Sequence, residues 1–124
     1  MTTSEIATVL AWHDALNQSD IDTLLGLSSD DIEIAGPKGA TQGLNALREW
    51  ATDAGITLVP GRLYTYDGIV VAEQEATWSA DPGNTKTVAS AFRVVHDQVT
   101  SVFRHEDLQS ALAATDLSEK DFVG

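Results

Sequence analysis

The chain has 124 residues, 43% of them hydrophobic, and this composition predicts a single soluble globular domain over residues 1–124. The absence of cysteine excludes disulfides, thiol nucleophiles and cysteine-ligated metal centres. A formal net charge of −12 disfavours nucleic-acid phosphates and anionic membranes as partners. No apolar run is long enough to span a membrane, and the N-terminus has no basic region before an apolar one, so we expect a cytoplasmic protein.

The N-terminal part of the chain is typical of two helices. Ser4 is the predicted N-cap of a first helix that runs to about Asn17, because apolar residues recur on one face at helical spacing. His13 lies within that apolar stripe. Asp20 is the predicted N-cap of a short second helix over residues 21–27.

A short strand and a third helix come next. Residues 32–34 alternate apolar and acidic, which is the period of a half-buried strand, and the Gly-Pro-Lys-Gly run at 36–39 ends it. The third helix is predicted from Leu44 to about Ala54, and Gly55 is suited to a left-handed C-cap.

The remainder of the chain is predicted to be mostly strands. The predicted strands are 57–66, 69–78, 85–95 and 99–106. Asp67-Gly68 is a strong hairpin signal, residues 80–84 form a second break, and residues 96–98 make the last tight turn. Asp107 can cap a short C-terminal helix, and the tail from Ser118 is expected to be loosely held.

Helices followed by a strand meander predict an α+β fold with helices on one face of an antiparallel sheet. This order, with residues 15–20, 29–33, 36–39 and 43–50, resembles the nuclear transport factor 2-like superfamily. The resemblance is closest to its SnoaL-like (polyketide cyclase-like) and ketosteroid isomerase-like branches. It implies a cone-shaped, strongly bent antiparallel sheet wrapped over three N-terminal helices, a cystatin-like α+β barrel with a cavity at its open end. Such a cone carries enzymes and non-catalytic binders alike.

The isomerase site does not carry over to this chain. The resemblance places the general base of that branch at Gly36, its tyrosine donor at Trp12 and its protonated aspartate at Ser90. Because none of these residues can perform that chemistry, ketosteroid isomerase activity is predicted to be absent. The Arg-x-Asp pattern of the epoxide hydrolase branch is met only loosely by Arg104-His105-Glu106.

The resemblance also implies which strand residues face the cavity. The inward-facing residues are Val70, Ala72, Gln74, Ala76 and Trp78, then Val88, Ser90, Phe92 and Val94, and finally Val102, Arg104 and Glu106. The outward-facing residues include Val71, Glu73, Glu75, Ala89, Ala91, Arg93 and Phe103. This mixture of small, apolar and oppositely charged residues, with the resemblance, implies a homodimer through the outer face of the sheet.

Ten residues are candidates for a functional site. The candidate catalytic residues are His13, Arg104, Glu106 and Asp107, and the candidate ligand-binding residues are Trp12, Trp50, Gln74, Trp78, Ser90 and Phe92. His13 would be an acid or base and Arg104 an anion stabiliser, with Glu106 or Asp107 as the carboxylate partner. Their structural alternatives are a core histidine for His13 and an Arg104–Glu106 ion pair. For Asp107 the alternative is an N-cap. No metal site and no cofactor are predicted.

Two functions remain open at this point. The first is a protein with a pocket for a small hydrophobic, ring-containing molecule. Such a protein would be either an acid–base or hydrolytic enzyme or a non-catalytic binder. The second is a non-catalytic binding or dimerisation module whose cavity is filled by its own aromatic side chains. An open cavity lined by Gln74, Ser90 and Arg104 would favour the first.

Overall fold

The computed structural model describes residues 2–36, 39–53 and 55–123. The helices of the described residues are α1 (Thr2–Asn17), α2 (Ile21–Gly26), α3 (Leu44–Asp53) and α4 (Leu108–Thr115). The strands are β1 (Ser28–Gly36), β2 (Gly39–Gln42), β3 (Ile56–Tyr66), β4 (Ile69–Trp78), β5 (Asp81–Val95) and β6 (Gln98–His105). The predicted α+β class is confirmed. None of these helices is both long and apolar enough to cross a membrane.

The six strands form one curved sheet in the order β2-β1-β6-β5-β4-β3, which does not close into a barrel. All neighbours pair antiparallel except β1 and β6, which are parallel. The prediction of a purely antiparallel sheet is therefore wrong at this pair. Alternation along a strand indicates which face is buried, but it carries no information about which strand lies beside it or in which direction.

Strand β2 was not predicted from the sequence, and β5 begins four residues before its predicted start at residue 85. All four residues of β2 are exposed, so no apolar alternation marks the strand. The break expected at 80–84 is wrong, because β5 begins at Asp81, which pairs with Trp78. The next paired residue is Thr85, opposite Thr77, so the three residues between are additional to the ladder. Pro82 has no backbone N–H, and it is tolerated there because an unpaired residue donates no hydrogen bond to the neighbouring strand.

Several predicted turns and caps are confirmed by the backbone. Asp67 and Gly68 both have positive φ angles, 51° and 81°, which is the geometry of a two-residue hairpin turn. The Asp20 side chain accepts a hydrogen bond from the Thr23 N–H and caps α2. Gly55 is left-handed, with φ of 57°. The predicted helix end at Ala54 lies outside the described residues.

Both predictions about the ends of the chain are wrong. Helix α1 begins at Thr2, so Ser4 lies inside the helix and is not its N-cap. The tail is not loosely held, because the Val123 N–H donates to Leu63 O at 2.9 Å and Glu119 accepts a hydrogen bond from Tyr64. Of the predicted exit loop at 36–39, the strand does end at Gly36, and residues 37 and 38 lie outside the described ranges.

Apolar residues are buried on both faces of the sheet. On the concave face, Val70, Ala72 and Ala76 pack with α1 and α3 in the main core. On the convex face, α4 packs on a second cluster formed by Tyr64, Val71, Ala89, Ala91, Leu108, Ala111, Leu112 and Leu117. The inward and outward assignments of these β4 residues are thus correct. Helix α4 also covers Val71, Ala89 and Ala91, three of the residues that were assigned to a dimer interface.

Candidate functional site

A cleft of about 890 Å³ opens at one end of the sheet, and we call it the mouth cleft. Its lining comprises Ile34, Ala35, Gly36, Gly39, Ala40, Thr41, Trp50, Trp78, Lys86, Thr87, Val88, Arg104, His105 and Glu106. These residues come from the β1–β2 hairpin, from α3, from the last residue of β4, from the middle of β5 and from the end of β6 with the residue that follows it. The fold therefore gathers residues that are far apart in sequence around one opening.

Small residues in the β1–β2 hairpin keep the mouth cleft open. Gly36 pairs with Gly39 and Ala35 pairs with Ala40, so these four residues add little side-chain volume to the wall. The opposite walls carry the half-buried indole rings of Trp50 and Trp78. The result is a space with a thin wall on one side and large flat aromatic surfaces on the others.

Arg104 is the half-buried charge of the mouth cleft. Its guanidinium carbon lies 5.7 Å from the centre of the Trp50 ring, which is cation–π distance. Burial lowers the pKa of the Arg104 guanidinium. No hydrogen bond or ion pair joins the guanidinium to any residue in the described ranges, so the expected ion pair with Glu106 is absent from this part of the chain. A partly desolvated cation without a counter-charge is costly for the protein alone.

His13 lies in the core and its two ring nitrogens are both occupied. Nδ1 is 2.8 Å from Val9 O and Nε2 is 2.7 Å from Gln74 Nε2. A carbonyl oxygen only accepts, so Nδ1 carries the proton and Nε2 accepts from the Gln74 amide. Burial lowers the pKa of His13 to about 4. The ring is therefore neutral, and acid–base work would require it to leave both partners.

Gln74 links this histidine to Ser90. The Ser90 hydroxyl donates to Gln74 Oε1 at 2.9 Å, and both side chains are about 1% exposed. The polar groups of Gln74 are thus satisfied by protein atoms. The three residues form a hydrogen-bonded row through the core, and none of them is on the lining of the mouth cleft.

Aromatic side chains fill the interior behind the mouth cleft. The Trp12 ring lies 5.4 Å from Phe92 in an edge-to-face arrangement and 6.3 Å from Trp50 in a stacked one. The Trp12 Nε1–H donates to Ser28 Oγ at 3.0 Å, which satisfies its polar group. Trp50 therefore joins the filled interior to the open cleft.

Asp107 caps helix α4 and lies outside the mouth cleft. Its carboxylate accepts a hydrogen bond from the Ser110 N–H at 2.8 Å. That bond lowers the pKa of the Asp107 carboxyl group, and the nearby charge of His105 acts in the same direction. The N-cap interpretation of Asp107 is confirmed.

Comparison with known proteins assigns the family of this chain. A family model described as SnoaL-like domain matches residues 9–111. The chain belongs to the SnoaL-like family. This confirms the predicted superfamily. The comparison with curated proteins gave no match.

Solved structures share the fold of this SnoaL-like chain. An NTF2-like protein of unknown function from Cytophaga hutchinsonii has a TM-score of 0.75 at 15% identity, over 86% of this chain and 92% of that one. A putative polyketide cyclase from Sinorhizobium meliloti gives 0.72 at 16%, over 80% and 94%. An LEH-like epoxide hydrolase from M. tuberculosis gives 0.72 at 21%, over 92% and 96%. At these identities the likeness shows the fold alone.

The SnoaL-like fold divides the ten candidate residues into three groups. The mouth cleft contains Trp50, Trp78, Arg104 and Glu106, the core contains Trp12, His13, Gln74, Ser90 and Phe92, and Asp107 caps α4. Sequence reasoning missed Lys86, although the alternation that turns Val88 and Ser90 inward also turns Lys86 inward. Among the described residues, no cluster of three or more histidine, aspartate or glutamate side chains is placed to hold a metal ion.

Proposed function

We propose that this SnoaL-like protein binds a small hydrophobic, ring-containing molecule in the mouth cleft. The observation that carries the proposal is the half-buried Arg104 guanidinium over the Trp50 ring, without a protein counter-charge in the described ranges, beside an open cleft. A volume of about 890 Å³ lies within the usual range of ligand sites, and aromatic walls with few polar groups are typical of them.

The filled interior limits where such a molecule lies. Trp12, His13 and Phe92 occupy the space behind Trp50 with ring-to-ring contacts of 5.1 to 6.3 Å. A ligand is therefore expected between Trp50, Trp78 and the β1–β2 hairpin, near the surface. The core residues shape the floor of the site and do not contact the ligand.

Any catalytic activity would be centred on Glu106. Glu106 is the one acidic residue among the described residues of the lining. Arg104 lies two positions before it, on the same inward-facing side of the chain. Acid–base or hydrolytic chemistry on the bound molecule would need both groups. Gly36, where the resemblance places the isomerase base, lines the cleft without a side chain, so we propose no isomerase activity.

The three tryptophans allow a direct test by ¹H–¹⁵N NMR. Titration with 2-naphthol, a neutral two-ring probe, should shift the indole N–H signals of Trp50 and Trp78. The Trp12 indole, which donates to Ser28 in the core, should shift least and acts as an internal control. Phenylalanine variants at each position assign the signals. Ring-current shifts from a bound naphthalene fall off with distance, so the pattern reports the location of the probe.

One outcome would favour the alternative function. If none of the indole signals shifts with 2-naphthol or with 2-naphthoate, up to their solubility limits, the mouth cleft does not bind ring compounds. The aromatic interior would then support a non-catalytic module with a self-filled cavity. Shifts confined to residues outside the cleft would also contradict the proposal.

A further inference from the structure

Basic residues outnumber acidic residues on the described lining of the mouth cleft, whereas acidic residues predominate in the whole chain. The chain carries 19 acidic and seven basic residues. On the described lining, however, Lys86 and Arg104 stand against the single acidic residue Glu106. Two of the seven basic residues thus lie at one opening of a strongly acidic protein. A ligand site for a cation would be expected to have the opposite balance.

The two cations project from neighbouring strands toward the same space. Arg104 on β6 pairs with Ser90 on β5, and Lys86 is four residues from Ser90 on the same inward-facing side. At about 3.3 Å per residue, this places them about 13 Å apart along the sheet. Lys86 also lines a smaller cavity of about 550 Å³, which shares Trp78 with the mouth cleft. Arg104 is therefore the cation beside Trp50, whereas Lys86 shares the lining of both cavities with Trp78.

The environment of Arg104 is suited to binding an anion. Its guanidinium carbon lies 5.7 Å from the centre of the Trp50 ring, and no residue in the described ranges occupies its N–H groups. Those N–H groups match the two oxygens of a carboxylate. Because the guanidinium is partly desolvated and unpaired in the described ranges, a ligand anion would supply the missing counter-charge.

We infer that the ligand of the mouth cleft is an aromatic anion, a ring compound bearing a carboxylate or an acidic enol, with its charge held by Arg104 and its ring between Trp50 and Trp78. This inference rests on the proposed function and narrows it to one chemical class. Lys86 adds positive potential at the outer end of the cleft. Asp81, which lines the smaller cavity with Lys86, offsets part of this positive potential.

Calorimetry with two probes of equal shape tests the inference. 2-Naphthoate and 2-naphthamide differ in charge but hardly in size. We expect wild-type protein to bind 2-naphthoate at least about tenfold more tightly, because hydrogen bonds to charged groups are stronger than neutral ones. Arg104→Gln should abolish this preference. Arg62→Gln makes the same change of charge on an exposed residue of β3, away from the lining of the mouth cleft, and should keep the preference.

A second pair of variants keeps Arg104 in place, in case Arg104→Gln does not fold. A Cβ atom at Gly36 would meet Arg104 Cβ at 3.7 Å and Cδ at 4.0 Å, which is ordinary van der Waals contact. Gly36→Asp places a carboxylate beside the guanidinium, and Gly36→Asn places a neutral group of the same shape there. The preference for 2-naphthoate should be lost in Gly36→Asp. It should be larger in Gly36→Asn than in Gly36→Asp.

The outcomes separate this inference from the proposed function. Equal affinities of the two probes for wild-type protein would overturn the anion inference and leave ring binding intact. A preference for 2-naphthoate that survives both Arg104→Gln and Gly36→Asp would also overturn it. A group other than Arg104 would then bind the carboxylate. If neither probe binds, the proposed function fails, and this inference fails with it.

Discussion

The His13 imidazole is held neutral by its surroundings. It is 1% exposed, and burial lowers its pKa to about 4, whereas an unfolded histidine titrates near 6.5. The unfolded chain therefore takes up a proton at a higher pH than the folded chain does. Stability from this group is fully present above about pH 6.5 and is lost as the pH falls toward 4.

We predict that removing this titration flattens the acid side of the stability curve. Between pH 7 and pH 4, the free energy of unfolding of wild-type protein should fall by up to about 3 kcal/mol more than that of His13→Gln. Urea denaturation at several pH values measures both curves. Carboxylate contributions are common to the two proteins and cancel in the difference. Parallel curves would show that His13 does not titrate in this way.

The sequence indicated the character of Arg104 but not its environment. The resemblance implied that it faces inward, and the two roles predicted for it were an ion pair with Glu106 and an anion stabiliser. Its contact with Trp50 and its lack of a protein counter-charge in the described ranges depend on α3 and β6 meeting, which no local pattern specifies. The same limit applies to His13, whose partner Gln74 is 61 positions away.

Among the elements, the turn from α3 into β3 depends on one glycine. Gly55 has φ of 57°, and a Cβ atom at that position would overlap Ser79 Oγ. The Ser79 N–H also donates to Gly55 O at 2.7 Å, so the turn is tied to the end of β4. The left-handed residue is therefore held beside Ser79 by a backbone hydrogen bond.

Gly55→Ala should destabilise the protein by at least about 1–2 kcal/mol, from the left-handed conformation alone. Gly26→Ala in α2 is the matched control, because a Cβ atom there would meet nothing within 4 Å and its φ is not in the left-handed region. Chemical denaturation of the two variants gives the comparison. Equal stabilities would refute the strain at Gly55.

Local signals predicted the elements well where they were strong. Residue types within a few positions predicted the Asp67-Gly68 hairpin, the span of β4 and the Asp107 cap. The polar strand β2 and the early start of β5 were missed because both are exposed and carry no apolar alternation. Lys86 lies inside the predicted strand 85–95, and extending the parity of Val88 and Ser90 by one step would have placed it on the inward side.

At the scale of the whole molecule, the outer face of the sheet is divided in two. Helix α4 covers the part around Val71 and Ala89, whereas Phe103 on β6 is 41% exposed. Arg93 on β5 and Glu33 on β1 flank Ser101 on either side of the same strand. An apolar centre with opposite charges beside it is suited to pairing about a two-fold axis. The homodimer stays a prediction, now restricted to this uncovered part.

Phe103→Glu should convert a dimer into a monomer in light scattering at micromolar concentration, because it places like charges against each other across the axis. Val59→Glu is the control, since Val59 is 53% exposed on β3, at the opposite edge of the sheet, and should leave the mass unchanged. A monomeric wild-type protein would contradict the prediction outright. So would a Phe103→Glu variant that remains dimeric.

The family-level features of the molecule followed from the order of its elements, and its particular features did not. Helices before strands, with alternation of known parity, were enough for the α+β class. The parallel pairing of β1 with β6 and the open sheet edge come from contacts between distant segments. Those contacts also form the mouth cleft, because its lining runs from Ile34 to Glu106.

The measurement that tests the central claim most directly is the NMR titration of the three indole signals with a naphthalene probe. Binding in the mouth cleft predicts saturable shifts for Trp50 and Trp78, with Trp12 shifting least. Unchanged indole signals, or shifts that are largest for Trp12, would contradict a ligand site at this end of the sheet.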